Sequence, residues 1–324
     1  MLPPVLAAAF ALGATAAAAT PLRVMGFGGS SNWPIFVAQE NGLFARHGLE
    51  VELSTARDST TQLADLAEGR IDVAMTAFDN VVAWDERHDR ARAIVAFLGV
   101  NNGGRSSLVA APRIAGIPDL LGGRLGVDAL ASGYALVLQE LLHREGLDPG
   151  TYLLVSVGGS RQRWEALRAG RVDATLLNAP YDAVAEGAGF RKLASSSVLG
   201  SYQGSVGAAR TSWAEANADT IVRFVRAYAA AVDWLHDAAH KDAAIAILMK
   251  RLEGMRGEEA ERSYRELVAE PGGFSPHAAF DLEGARTVLE LRRVYGGAAH
   301  ASHDTMFFYD ARYYDRALAR GRPQ

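Results

Sequence analysis

The chain has 324 residues, 49% of them apolar and 22% charged, with no cysteine. That composition allows two domains with real cores and excludes both a disordered chain and a disulfide-stapled scaffold. A net charge of -4, with both signs interspersed, leaves no basic footprint, so no nucleic-acid partner is expected.

Val5 to Ala19 is an uncharged run, mostly Ala with Leu and Phe, ending in Ala17-Ala18-Ala19. It reads as a secretory signal cleaved near Ala19, although no Lys or Arg precedes it. A membrane anchor would need about twenty apolar residues. Export without cysteine suits a periplasmic protein.

A first strand is predicted over Leu22 to Phe27, followed by Gly28-Gly29-Ser30-Ser31-Asn32. Asn32 is placed to cap a helix with Pro34 in its first turn, running to about Gly48. A second strand covers Val51 to Leu53, and Ser59 or Thr60 caps the next helix. Then come a strand at Val73 to Thr76, a helix from Asp79 to Asp85, a strand at Ala93 to Leu98 and a polar loop from Asn101 to Arg105. Ser107 to Ala111 reads as a strand leaving this lobe.

A second series follows: strand Leu125 to Val127, helix Gly133 to Glu145, strand Leu153 to Val157, helix Ser160 to Gly170, strand Ala174 to Leu177 and helix Tyr181 to Glu186. Tyr202 to Ala208 has the spacing of a returning strand. Helical periodicity then dominates, through Ile221, Phe224, Val225, Tyr228, Val232 and Leu235, and again through Leu282, Ala285, Val288 and Leu289.

The two series are copies of each other. LAEGRIDVAMTAFDNVVA from Leu66 returns as LRAGRVDATLLNAPYDAVA from Leu167, in one register 101 residues apart. Gly69 meets Gly170, Arg70 meets Arg171, Asp72 meets Asp173 and Ser59 meets Ser160. In each copy a helix ends at glycine, an Arg-hydrophobe-Asp turn follows, and an apolar strand feeds a new helix. Two units of this length mean two similar α/β lobes.

Open α/β sheets bind ligands beyond the carboxyl ends of their strands, where helix N-termini also point. In the first lobe this selects Ser30, Ser31, Asn32 and Trp33 after strand one, and Arg57, Asp58, Ser59 and Thr60 after strand two. Phe78, Asp79 and Asn80 follow strand three; Asn101, Asn102 and Arg105 follow strand four. In the second lobe it selects Asp128, Ser132, Gly133 and Tyr134, then Ser160 and Arg161, then Asn178 and Tyr181. Hydroxyls and amides at helix starts make anion seats, and each also has the plainer role of capping its helix. Arg57, Arg105 and Arg161 suit an anion, but thirty of the thirty-three basic residues are Arg, so position matters more than residue type. Trp33 and Tyr181 foremost, with Tyr134 and Phe78, favour an organic ligand with a planar body; each equally suits core or hinge packing, which is the plainer account of Phe78.

Taken together, GFGGSSNWPIFVAQENGLFARHGLEVEL, STTQLADLAEGRIDVAM, GVNNGG, GGRLGVD, ALRAGRVDATLLNAP and TSWAEANADTIVRFVRAYAAAVDWL resemble the periplasmic solute-binding proteins of ABC importers. The resemblance is to the branch of sulfonate, taurine and nitrate binders and thiamine-pyrimidine-precursor binders, and covers nearly all of residues 21 to 320. It implies a two-lobed type II periplasmic binding protein fold, in which each lobe is a mixed β-sheet flanked by helices and a two-strand hinge spans the cleft. The implied division is residues 1-19 as signal, 20-108 and 208-324 as the first lobe, and 109-207 as the second. It further implies a small-molecule ligand, most simply a sulfonate, carboxylate or related anion, passed to a membrane permease with its ATPase by a monomeric binding protein without a cofactor.

The fold is shared with synthases of the thiamine pyrimidine, which consume pyridoxal phosphate and need a Schiff-base lysine. Here no lysine precedes Lys192 and the cysteine cluster of those enzymes is missing, so no catalysis is expected. His300 and His303 lie outside the expected cleft, and no metal site is expected. A regulator's sensing domain would place a helix-turn-helix where this chain has its apolar leader.

Overall fold

The repeat read in the sequence is a repeat in space. In the computed structural model, which describes residues 21–88, 92–102, 106–178, 180–269, 272–296 and 304–319, the strands are β1 (Leu22–Gly26), β2 (Val51–Thr55), β3 (Val73–Ala77), β4 (Ile94–Gly99), β5 (Ser107–Ala110), β6 (Arg124–Val127), β7 (Leu153–Ser156), β8 (Ala174–Leu177), β9 (Arg191–Ser195) and β10 (Ser205–Arg210). Two five-stranded sheets result, ordered β2-β1-β3-β10-β4 and β7-β6-β8-β5-β9. In the first, β1 runs parallel to β2 and β3 while β10 is antiparallel to β3 and β4. In the second, β6 runs parallel to β7 and β8 while β5 is antiparallel to β8 and β9. Each sheet thus receives its one antiparallel strand from the chain crossing over out of the other.

The helices are α1 (Trp33–Glu40), α2 (Leu43–Arg46), α3 (Ser59–Ala67), α4 (Phe78–Arg87), α5 (Gly133–Arg144), α6 (Ser160–Arg168), α7 (Tyr181–Gly187), α8 (Thr211–Ala216), α9 (Ala218–His236), α10 (Lys241–Arg251), α11 (Gly257–Tyr264), α12 (Leu282–Tyr295), α13 (Thr305–Phe308) and α14 (Ala311–Leu318). The single helix predicted from Asn32 to Gly48 is broken at Gly42, whose φ of 66° is left-handed. Helices α8, α10, α11, α13 and α14 were not distinguished by the sequence reading. Helix α9 packs with α1, α10 and α14 in one core with Val24, Val73 and Phe97 of the first sheet. The second sheet shares a core with α5, α6 and Leu291 of α12.

The register of the repeat holds atom by atom. Val24 sits opposite Val73 and Leu125 opposite Ala174. Gly69 and Gly170 end α3 and α6 with φ of 80° and 68°. The Asp72 carboxylate accepts the Arg23 N–H at 3.0 Å and that of Asp173 accepts the Arg124 N–H at 2.6 Å. The two arginine side chains each donate to the glycine carbonyl of their own lobe, Gly69 or Gly170, at 2.9 Å. The glycine and aspartate of the repeated phrase therefore clamp a helix end to Arg23 or Arg124 in the first strand of the lobe, once in each copy.

The crossings lie side by side. Ser205 N donates to Asn101 Oδ1 at 3.0 Å, Gln203 Nε2 to the Asn101 carbonyl at 3.1 Å, and Ser106 N to Ser196 Oγ at 2.9 Å. No helix among the described residues is long and apolar enough to cross a membrane. The apolar leader (1–19), Arg105, His300 and His303 lie outside the described residues.

Candidate functional site

The lobes touch where the segments that follow β3 and β6 meet. A Cβ placed on Gly133, the first residue of α5, would lie 2.9 Å from Asp79 Cβ and 3.0 Å from the Tyr202 hydroxyl. Asp79 belongs to the first lobe, Gly133 to the second and Tyr202 to the returning crossover. One point therefore gathers all three parts of the fold.

On the second-lobe side the expected residues form a connected network. Ser132 caps α5, accepting from Ala135 N at 3.3 Å, and donates its hydroxyl to Asp128. Asn178 donates to the Tyr134 hydroxyl at 2.6 Å and accepts from Ser106 Oγ at 2.6 Å. Ser160 accepts from Arg163 at 3.0 Å. Arg163, absent from the sequence reading, is the hub: only 1% exposed, it also donates to the carbonyls of Leu176 at 2.9 Å and Gly158 at 3.2 Å. Its guanidinium lies 4.7 Å from the centre of the Tyr134 ring and 4.0 Å from Asp128. Burial pushes the Asp128 carboxyl above the ordinary aspartate range, against the pull of Arg163 and Ser132. A signal for Arg163 did exist, since 101 residues earlier stands Gln62, which donates to the carbonyls of Met25 at 2.9 Å and Met75 at 3.1 Å. Leu176 is the repeat partner of Met75. The two side chains do one job, tying a helix to its strand.

Tyr181 is half-buried, and burial, with Glu165 and the first-lobe Glu259 close enough to act on it, raises its phenol against the pull of Arg161. Arg161 itself is exposed and pairs with Glu165 at 3.0 Å.

The first-lobe side departs from the expectation. Trp33 is fully buried, its indole N–H bonded to the Ala244 carbonyl at 3.0 Å and its ring edge-on to Tyr264. It faces the lobe core toward α10 and α11, and not the cleft in which contact with a ligand was expected. Phe78 is a core residue, as its plainer reading had it, packed edge-on against Phe280 and Phe308. Asn32 does not cap α1; its amide is turned back to the Phe27 carbonyl at 2.5 Å. Ser30 is buried against Ser263 of α11 at 3.2 Å, which leaves Ser31 as the exposed hydroxyl of that loop. Helix α3 is capped by Asp58, accepting from Thr61 N at 2.7 Å, not by Ser59 or Thr60. Ser59 and Thr60 therefore stand in the first turn with their hydroxyls uncommitted to capping. Arg57 is exposed and pairs with Asp58 at 3.1 Å. Asn80 donates to Thr76 Oγ1 at 3.0 Å, and Asn102 accepts from Ser275 at 2.7 Å.

Asp79 is 1% exposed and its Oδ1 accepts from Arg292 Nη1 at 2.6 Å, while Oδ2 accepts no hydrogen bond from the described residues. Arg292 of α12 also forks onto Glu86 at 3.0 and 2.5 Å, which leaves the two acids as the arginine's ion-pair partners. Tyr202 is partly buried, and burial, together with Asp79 and Tyr134, raises its phenol well above the ordinary range. Among the described residues no group of three His, Asp or Glu side chains is arranged to hold a metal ion.

Comparison with known proteins fits this geometry. The model of the NMT1-like family matches residues 17–249. The chain belongs to the NMT1-like family. Among curated proteins, no sequence match was found. Solved structures similar to this NMT1-like chain include the alkanesulfonate-binding protein of Xanthomonas axonopodis pv. citri bound to MOPS, at 16% identity and a TM-score of 0.71, covering 88% of this chain and 96% of that one. The periplasmic nitrate-binding protein of Synechocystis PCC 6803 aligns at 14% identity and a TM-score of 0.74, over 93% and 89% of the two chains. A desulfurization enzyme aligns at 16% identity and 0.66, over 93% and 99%. Such likenesses establish the two-lobed periplasmic binding protein fold, which ligand-binding components of ABC importers and at least one enzyme share.

Proposed function

We propose that the chain is an exported, periplasmic solute-binding subunit that captures a small organic molecule between its lobes and delivers it to an ABC permease and its ATPase. One observation carries the reading: Asp79, Gly133 and Tyr202, from the first lobe, the second lobe and a crossing segment, meet at the strand ends beside Asp128, Tyr134 and Asn178. A solute seated there touches both lobes only when they are together, so its binding free energy selects that arrangement. The lining offers phenols, amides, hydroxyls and a half-buried carboxyl, which suits a planar, hydrogen-bonding body. The guanidiniums of Arg163 and Arg292 are both already bonded within the protein. An anionic group of the solute, a sulfonate or carboxylate, is therefore met by the first turns of the helices with Ser59, Thr60 and Ser160, and at the rim by Arg57 and Arg161.

The enzymatic alternative needs a lysine in the site. Lys241 pairs with Glu261 at 2.8 Å and Lys250 with Glu40 at 2.6 Å, both outside the cleft, and Lys192 is exposed on β9. This favours binding over Schiff-base chemistry.

The test is a thermal-shift screen of sulfonates, aromatic carboxylates, nitrate and pyrimidines. A cognate solute at a hundred times its dissociation constant adds about 2.7 kcal/mol of stability. Calorimetry on Tyr202→Phe then locates the site, since its hydroxyl stands at the meeting point of the lobes. Expected are weaker binding and an unchanged melting temperature. Silence across all four solute classes, or unchanged affinity in Tyr202→Phe, counts against the proposal.

A further inference from the structure

Two crossing segments are the hinge of this fold, but a third element also joins the lobes. Helix α12 carries two stripes. Ala285, Val288 and Leu289 pack into the first-lobe core beside Phe78 and Val82, and Arg292, one turn on in the same stripe, is fastened to Asp79 and Glu86. Leu291 and Tyr295, spaced i and i+4, form a second stripe about a quarter turn round the helix from the first. Leu291 enters the second-lobe core, and the Tyr295 hydroxyl donates to Glu140 of α5 at 2.8 Å. Arg292 itself reaches the Ala131 carbonyl of the second lobe at 3.4 Å. The start of α12 is anchored on the hinge: Asp281 N donates to Gln203 Oε1 at 2.6 Å, and Gln203 is fully buried between the crossings.

We propose that α12 is a strap that biases the solute-free protein toward the closed arrangement, with its Arg292 stripe fixed to the first lobe and its Leu291 and Tyr295 stripe seated reversibly on the second. The asymmetry follows from chemistry. Removing Arg292 from two buried carboxylates leaves uncompensated charge, whereas lifting Tyr295 and Leu291 costs one hydrogen bond, the Tyr295–His143 ring contact and the burial of one leucine, all without stranding a charge. Opening of the lobes therefore breaks the contacts with α5. The proposal does not depend on which solute is carried.

The chain lacks cysteine, so two introduced ones take spin labels uniquely. Glu52→Cys and Leu153→Cys occupy equivalent, exposed positions on the edge strands β2 and β7. Pulsed electron spin resonance on this solute-free pair reads the inter-lobe distance. Adding Leu291→Ala with Tyr295→Phe should move the distribution away from the closed distance and broaden it. Tyr295→Phe alone, or Glu140→Gln alone, should give a smaller shift of the same sign. These single changes leave the apolar cores intact, so they decide the matter if the double variant does not fold. A distribution identical to that of the parent pair in the folded variants overturns the strap, even if a solute from the thermal screen still binds.

Discussion

Replacing Gly133 by alanine should push the lobes apart while leaving each lobe as stable as before. The added methyl carbon would lie 2.9 and 3.0 Å from Cβ and Cγ of Asp79 and 3.0 Å from the Tyr202 hydroxyl. Carbon atoms in comfortable contact are about 3.5–4.0 Å apart, so the shortfall is roughly half to one ångström. Asp79 cannot give way by rotating, because it is 1% exposed and held through Oδ1 by Arg292. Gly133 itself has no left-handed φ, and alanine suits the first turn of α5 better than glycine does. The whole penalty therefore falls on the approach of the lobes. Overpacking of this kind costs about 1–3 kcal/mol, which as a coupling energy is roughly a 5- to 150-fold shift in the balance of closed over open forms.

Distance and affinity should then change while stability does not fall. The labelled pair on β2 and β7 should shift from its closed distance, and any solute found in the thermal screen should bind Gly133→Ala more weakly by about the same 5- to 150-fold. The melting temperature of the solute-free protein should stay level or rise slightly. A lower melting temperature with an unchanged distance would mean that the clash is absorbed inside one rigid unit, and would refute the claim that Gly133 and Asp79 meet across a mobile boundary.

Two further substitutions test the assignments around the site. Trp33→Ala should cost about 3–5 kcal/mol of stability, as a fully buried tryptophan does, seen as a fall in the denaturation midpoint; a folded variant that loses solute affinity at undiminished stability would return Trp33 to the cleft. Asp128→Asn should stabilise the protein at neutral pH. The raised carboxyl binds its proton more tightly folded than unfolded, so wild-type stability is lost as pH climbs from the ordinary aspartate pKa through the folded value, and the gain in Asp128→Asn should vanish below about pH 4. A gain that persists at low pH would contradict burial as the cause.

What could be read from the chain, and what could not, divides along contact range. The Gly-Arg-hydrophobe-Asp phrase was legible because its partners are local or lie in the first strand of the same lobe, and the second copy supplied an independent reading. Arg163 was hidden because arginine is so frequent here, although its repeat partner Gln62 marked the position. Trp33 misled for a physical reason: a loop that leaves a strand end can turn its large side chain either toward the cleft or inward. The choice is made by α10 and α11, more than two hundred residues away. Asp58 is a local exception: it outcompetes Ser59 for the cap because its carboxylate also takes the Thr61 hydroxyl at 3.1 Å. In α12 the stripe of Ala285, Val288 and Leu289 was visible, whereas Leu291 and Tyr295 looked like the ordinary margin of an amphipathic helix. A helix that serves two cores shows two narrow stripes, and only the second core tells them apart.

The strap also sets a limit on how such a protein can work. Its reversible half consists of one tyrosine–carboxylate hydrogen bond, a contribution of about 1.5–3 kcal/mol, an edge-on contact of the Tyr295 and His143 rings, and one leucine buried for about 1.5–3 kcal/mol. Ordering both side chains offsets part of this, and at the lower ends of these ranges the sum, about 3 kcal/mol, is below the roughly 5.5 kcal/mol that carries a two-state equilibrium from one extreme to the other. The strap can therefore bias closure without locking it, and solute must supply the remainder. That division has a functional consequence. When the competent state is already well populated, apparent affinity is taxed only lightly, and α12 raises capture at low solute concentration without adding a single contact to the solute. Weakening the strap should consequently raise the apparent dissociation constant by the factor through which the closed population falls, with solute specificity unchanged. A change in the rank order of solutes bound by Tyr295→Phe would place α12 in the site itself and not behind it.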